Sequence, residues 1–189
     1  MSAIVLVTGG FDPIHTGHIA YFKNAKELNP NIPLCVGLNS DEWLIRKKGK
    51  YFLPMSERRA IVKELKPVDL TITYDDTDDS SNMAIYKCLQ MYDKVIFCNG
   101  GDRVDTNVPE YLKFQQNDRV IFEWGVGGDD KMNSSSWILN EFLRRWETQF
   151  CMEIVERHSN NLTSKQELAS HPHHITCLLY TSDAADEQL

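Results

Sequence analysis

"AIVLVTGGFDPIHTGHIAYF" occupies residues 3–22, and its three parts decide the architecture. Ile4, Val5, Leu6 and Val7 make an unbroken apolar run, the pattern of a strand covered on both faces. Gly9, Gly10 and Pro13 interrupt it as a loop. Positions 19, 22, 25 and 28 are then apolar, which is helical spacing. Two of the chain's six histidines, His15 and His18, therefore stand where a strand hands over to a helix.

The same alternation continues downstream. Residues 33–39, 69–74, 94–99 and 119–124 read as further strands. Residues 81–92, 109–116 and 134–147 read as helices, and 56–65 as a helix that Ser56 would cap. Residues 41–46 read as a short helix running into a basic loop, "RKKGKYF" (46–52). Strand and helix in alternation imply an α/β fold: a parallel sheet with helices on both faces.

A chain of 189 residues suffices for one sizeable core. With 42% hydrophobic and 25% charged residues its composition is that of a globular protein. The net charge of −7 leaves no basic surplus for a nucleic-acid polymer, so no nucleic-acid partner is expected. Five cysteines without CxxC spacing fit a reducing, cytoplasmic setting, with Cys35 and Cys98 as small core residues. No secretory signal and no membrane-spanning run is visible, so no membrane partner is expected. Residues 1–147 read as the functional domain and 148–158 as a helical extension. Residues 159–189 read as a tail, whose stretch "LLYTSDAADE" resembles translated sequencing-adapter sequence.

In open parallel sheets ligands bind beyond the carboxyl ends of the strands, and four motifs fall there. Gly9 and Gly10 let backbone approach a ligand. Thr16 and Gly17 open a helix whose N–H groups favour an anion, and His15 and His18 can face the same spot as donors to phosphate. Ser134, Ser135 and Ser136 open the last helix, where they serve either as an ordinary cap or as a polyphosphate cradle. Arg46, Lys47, Lys48, Lys50, Arg58 and Arg59 form a basic set in an acidic chain, from which two or three side chains would clamp phosphates. "NGGD" (99–102) is either a plain loop or a nucleoside contact through Asp102. "DDTDD" (75–79) reads as a solvated loop, and no P-loop or dinucleotide fingerprint occurs.

"GGFDPIHTGH" (9–18) resembles the signature of the HxGH nucleotidyltransferase superfamily, and "NSSSWI" (133–138) resembles its second, serine-rich signature. The wording of "GLNSDEWL", "LPMSERRAIVKELKPVDLTI" and "NGGD" is most similar to glycerol-3-phosphate cytidylyltransferases and to the nucleotidyltransferase domain of heptose-phosphate adenylyltransferases. The likeness covers roughly residues 3–145. It implies a five-stranded, Rossmann-like parallel sheet. It also implies a reaction, in which a phosphorylated polyol or sugar attacks the α-phosphorus of CTP or ATP and pyrophosphate leaves. Phosphopantetheine or nicotinamide mononucleotide as acceptor, and a non-catalytic nucleotide-binding module, stay open as alternatives.

Residue by residue, the resemblance implies that His15 and His18 hold the α- and β-phosphates, with Lys48 or Lys47 neutralising the α-phosphate and Arg59 near the acceptor. Ser134, Ser135 and Ser136 would hold the leaving phosphates. Thr8, Gly9, Gly10 and Phe11 would line the nucleotide, Asp12 would organise the loop, and Gly101 and Asp102 would meet the nucleoside. Magnesium is expected with the triphosphate, through phosphates and water rather than a protein metal site. Dimers recur among relatives, which makes a homodimer a candidate assembly. The chain departs from the family pattern twice: Lys131 is the one cation shortly before the serines, and Asn133 stands where isoleucine is usual.

Overall fold

The structure, a computed structural model, describes residues 2–101, 108–127 and 134–161. Five strands form one sheet: β1 (Ala3–Gly9), β2 (Leu34–Leu38), β3 (Leu70–Thr73), β4 (Lys94–Cys98) and β5 (Val120–Glu123). Their spatial order is β3-β2-β1-β4-β5, and every pairing is parallel. The chain thus winds outward from β1 in one direction and returns to β4 on its other side. In sheets of this kind ligands bind where the strand order reverses, which here is at the carboxyl ends of β1 and β4.

The helices are α1 (Thr16–Leu28), α2 (Asp41–Lys48), α3 (Met55–Lys63), α4 (Asn82–Met91), α5 (Pro109–Phe114) and α6 (Ser135–Asn161). Alternation along β1 divides the core in two. Ile4 and Leu6 pack with Ala84, Ile85 and Cys88 of α4 and Phe114 of α5. Val5 and Val7 pack with Phe22 and Ala25 of α1 and Val62 of α3. Both faces of β1 are fully buried, as its unbroken apolar run requires. Cys35 and Cys98 are buried free thiols, in line with their strand positions.

Two expectations are corrected. Arg46, Lys47 and Lys48 belong to α2 rather than to a loop. Ser40 caps that helix by accepting from the Trp43 N–H, Asp41 and Glu42 occupy its first turn, and its three cations complement the dipole at the last turn. Gly49 ends it with φ 77°, a left-handed conformation suited to glycine. Ser56 does not cap α3, which starts one residue earlier after Pro54. The Met55 N–H is taken by Asp41 Oδ2 at 3.1 Å instead.

The chain divides into two compact units, Met1–Ser135 and Ser136–Leu189. The second contains α6 beyond its first residue, which runs past 147 to Asn161 as one helix. Within it Glu141 pairs with both Arg144 and Arg145. Among the described residues no helix is long and apolar enough to cross a membrane.

Candidate active site

The loop between β1 and α1 is held from three directions. Asp12 is buried, and its carboxylate accepts the N–H groups of Phe52 (2.6 Å) and Leu53 (2.8 Å). Asp12 thereby ties the β1–α1 loop to the segment before α3. Phe11 stands at φ 50°, unusual for a side chain with a Cβ, and its ring packs edge-on against Phe22 and His18. The ring also explains Gly9, where a Cβ would lie 2.9 Å from Phe11 Cζ. At Gly10 a Cβ would lie 2.7 Å from Leu44 Cδ2. These two glycines are thus required by the packing of the loop itself.

The third hold is Arg58, whose side chain is fully buried. Its guanidinium donates to Gly10 O (2.6 Å), Asn39 O (3.0 Å), Leu53 O (3.0 Å) and Asp41 Oδ1 (2.5 Å). One rigid fork therefore ties the loop after β1, the end of β2, the start of α2 and the segment before α3. Sequence reading placed the weight on Arg59. That residue is exposed on α3, and its Nε contacts Thr71 Oγ1 on β3 at 3.3 Å. The signal for Arg58 lies in the spacing: Met55, Val62 and Leu65 pack into the core, and position 58 falls on their stripe.

On this frame the two histidines stack, with ring centroids 3.7 Å apart and planes 24° from parallel. His15 caps α1, its Nδ1 accepting the Gly17 N–H at 3.1 Å. That bond assigns the proton of the neutral ring to Nε2, leaving Nε2–H as the free donor. Burial lowers the His18 pKa to about 3, with the charges of His15 and Lys48 adding to the shift. Burial, then Lys48, also lowers that of His15. His18 Nδ1 is buried without a hydrogen-bond partner.

Lys48 is exposed as a residue, yet its ammonium loses hydration against the loop, which lowers its pKa. Asp12 opposes that shift and Arg58 adds to it. The charge of Lys48 acts on both His15 and His18, and that of Asp12 acts on Lys48. Lys47 Nζ lies 6.0 Å from the Trp43 ring centroid. Arg46 is engaged by Asp76 O at 2.7 Å and by Asp79.

The last-helix serines divide. Ser135 is buried and donates from Oγ to Pro13 O at 2.9 Å, so the α6 start reaches the histidine loop. Ser134 precedes it, half-buried, while Ser136 is exposed in the second unit. Gly101 has φ 65°, after the β4 end. Asp102, Lys131 and Asn133 lie outside the described residues. The acidic loop 75–79 is only partly solvated, since buried Asp76 accepts from Asn39 Nδ2 and from Ser40 N and Oγ.

Thr8 faces away from the histidine side. Its Oγ1 accepts from Ser81 Oγ (2.9 Å), which also meets Tyr74 OH (3.1 Å). The Ser81 N–H donates to Glu110 Oε1. This buried polar group on the α4–α5 side left no mark in the sequence pattern.

A parallel sheet with a topological switch, an anchored Gly-rich turn and two stacked histidines at the next helix start make up a Rossmann-like α/β fold. Residues 6–149 match the cytidylyltransferase-like family, and the chain belongs to it. The chain is 36% identical over 74 residues to an FAD synthase of Ferroglobus placidus, an overlap of 39% of this chain and 47% of that one. To the bifunctional protein HldE of Nitratiruptor sp. it is 32% identical over 101 residues, 52% of this chain and 20% of that one. The chain therefore spans about half the length of the FAD synthases it matches, and less of HldE. A lipopolysaccharide core biosynthesis protein from Thermoplasma volcanium shares the fold at TM-score 0.50 and 26% identity, covering 67% of this chain and 97% of that one.

Proposed function

We propose that the chain transfers a nucleoside monophosphate from ATP or CTP to a phosphorylated polyol or sugar, with release of pyrophosphate. An oxygen of the acceptor phosphate bonds to the α-phosphorus as the bond to the β-bridging oxygen breaks, and the electron pair leaves with pyrophosphate. The observation that carries this reading is the stacked histidine pair at the α1 start beside Lys48. It offers neutral donors and one cation at fixed positions, which suits a reaction governed by positioning and charge neutralisation.

In this reading His15 donates through Nε2–H, and His18 joins it at the α- and β-phosphates. Lys48 neutralises the α-phosphate and the acceptor phosphate, with Lys47 and Arg59 further out. Ser134, Ser135 and Ser136 take the leaving phosphates. Gly9, Gly10 and Phe11 shape the turn, and Gly101 and Asp102 face the nucleoside. Magnesium would travel on the triphosphate, because the Asp12 carboxylate is engaged by two backbone N–H groups and among the described residues no cluster of three or more acidic, histidine or cysteine ligands occurs. The FAD synthase likeness weights the choice of triphosphate toward ATP. It also keeps the acceptor class intact, since flavin mononucleotide carries its phosphate on a ribityl chain.

The test is pyrophosphate release with ATP and CTP, each against glycerol 3-phosphate, ribitol 5-phosphate, a sugar 1-phosphate and flavin mononucleotide. Release with at least one pair supports the reading. Silence across the panel, with nucleotide still bound, overturns it in favour of a binding module.

A further inference from the structure

Among the described residues five buried side-chain atoms lack any hydrogen-bond partner: His18 Nδ1, Asn82 Oδ1, both polar atoms of Asn99, and Glu110 Oε2. All lie at one end of the sheet. His18 is in the first turn of α1, Asn82 begins α4, Asn99 follows β4, and Glu110 is the second residue of α5. Buried polar atoms are nearly always paired, so orphans gathered at the ligand-binding edge of a parallel sheet point to a ligand.

His18 belongs to the site already described. The other three residues lie on the opposite face. Leu6 pairs with Phe97 across β1 and β4, and both pack on the α4–α5 side. Thr8 and Asn99 stand two residues further along their strands, so alternation places them on that side as well. There Thr8 Oγ1 joins Ser81 Oγ, and the Ser81 N–H joins Glu110 Oε1. Asn99 and Glu110 are 1% and 3% exposed.

The chemistry of the orphans selects their ligand. Asn82 Oδ1, Asn99 Oδ1 and Glu110 Oε2 are acceptors, and Asn99 Nδ2 is a donor. A phosphate, which only accepts, is repelled by this set. Hydroxyl groups both donate and accept, and so match it. The nucleotide side lies across the sheet, where Tyr21 donates to Cys98 O and Val126 joins the second core cluster.

Resting on the nucleotidyltransferase reading, we infer that Asn99 and Glu110, with Asn82, form the subsite for the hydroxyl-bearing chain of the acceptor. This subsite makes the enzyme selective for polyhydroxylated phosphates over alkyl phosphates of equal length. Thr8 and Ser81 set its floor.

The experiment compares wild type, Asn99→Ala and Glu110→Gln. Direct titration calorimetry with ribitol 5-phosphate and with pentyl phosphate reads the subsite without turnover. Wild type is expected to bind the polyol at least tenfold more tightly than the alkyl phosphate, and both variants to lose that preference. Their affinity for ATP and CTP, measured alongside, is expected to stay within twofold, which also shows that the fold is retained. Glu110→Gln, nearly isosteric, serves if Asn99→Ala does not fold. Unchanged preference in a folded variant overturns the inference. So does a drop in nucleotide affinity, which would assign these residues to the base. Absence of pyrophosphate release alongside intact polyol selectivity would sink only the transferase reading.

Discussion

The two ends of the sheet handle polar groups in opposite ways. At the amino end, Lys26 Nζ bonds Asp69 Oδ2 (2.7 Å) and Ile32 O (2.9 Å), and Asp69 also receives the Leu34 N–H. Arg119 donates to Asp93 O, Leu89 O and Tyr92 O, and Asp93 accepts from Ser2. These groups are largely solvated and mutually paired. At the carboxyl end, Arg58, Asp12, Asn99 and Glu110 are buried, and several atoms have no partner. One end of the sheet is closed by its own residues, while the other holds polar groups in readiness for something else.

The sharpest way to break this contrast is to remove Arg58. Arg58→Ala strands the Asp41 carboxylate and three carbonyl groups, and is expected to destabilise the fold by about 3–5 kcal/mol. Urea unfolding would measure it, and a loss below about 1 kcal/mol would show that the carboxyl end is not held by this group. His18→Ala comes next. Turnover of the best substrate pair is expected to fall by about a hundredfold or more, with an unchanged circular dichroism spectrum. Near-normal turnover would remove the histidine from the transition state.

A pH comparison sharpens the picture further. In the folded chain burial holds the His18 pKa at about 3, against an ordinary value of 6.5. Between those values the unfolded chain binds more protons, so stability falls as pH drops from 6.5 toward 3. His18→Asn should therefore be less destabilised than wild type on going from pH 7 to pH 5. The difference in unfolding free energy is expected to be on the order of 1 kcal/mol. Equal losses in both proteins would mean that the ring is protonated in the fold. The smallest effect belongs to the amino end. Lys26→Ala should lower stability by less than about 1 kcal/mol and leave turnover unchanged, as for other partly exposed ion pairs.

Much of this was legible in the residues. The run Ile4–Val7, the glycines and the histidine spacing placed a strand, a turn and a helix start where the structure has them, because each obeys local rules. The grip of Arg58 on the loops was not legible, because two adjacent residues of one type are separated only by helical phase, about 100°. The helical location of Lys47 and Lys48 was hidden because a run of cations has no apolar period of its own. Asn99 fell within the "NGGD" motif, but Glu110 gave no signal, since its burial beside Ser81 arises only when α4 and α5 pack together.

Arg58 grips a carbonyl 48 residues before it in the chain, that of Gly10. A single guanidinium thus makes Gly10, Asn39, Asp41 and Leu53 mutually dependent. Substitutions among them should be strongly epistatic, and this corner of the fold is expected to evolve as one block.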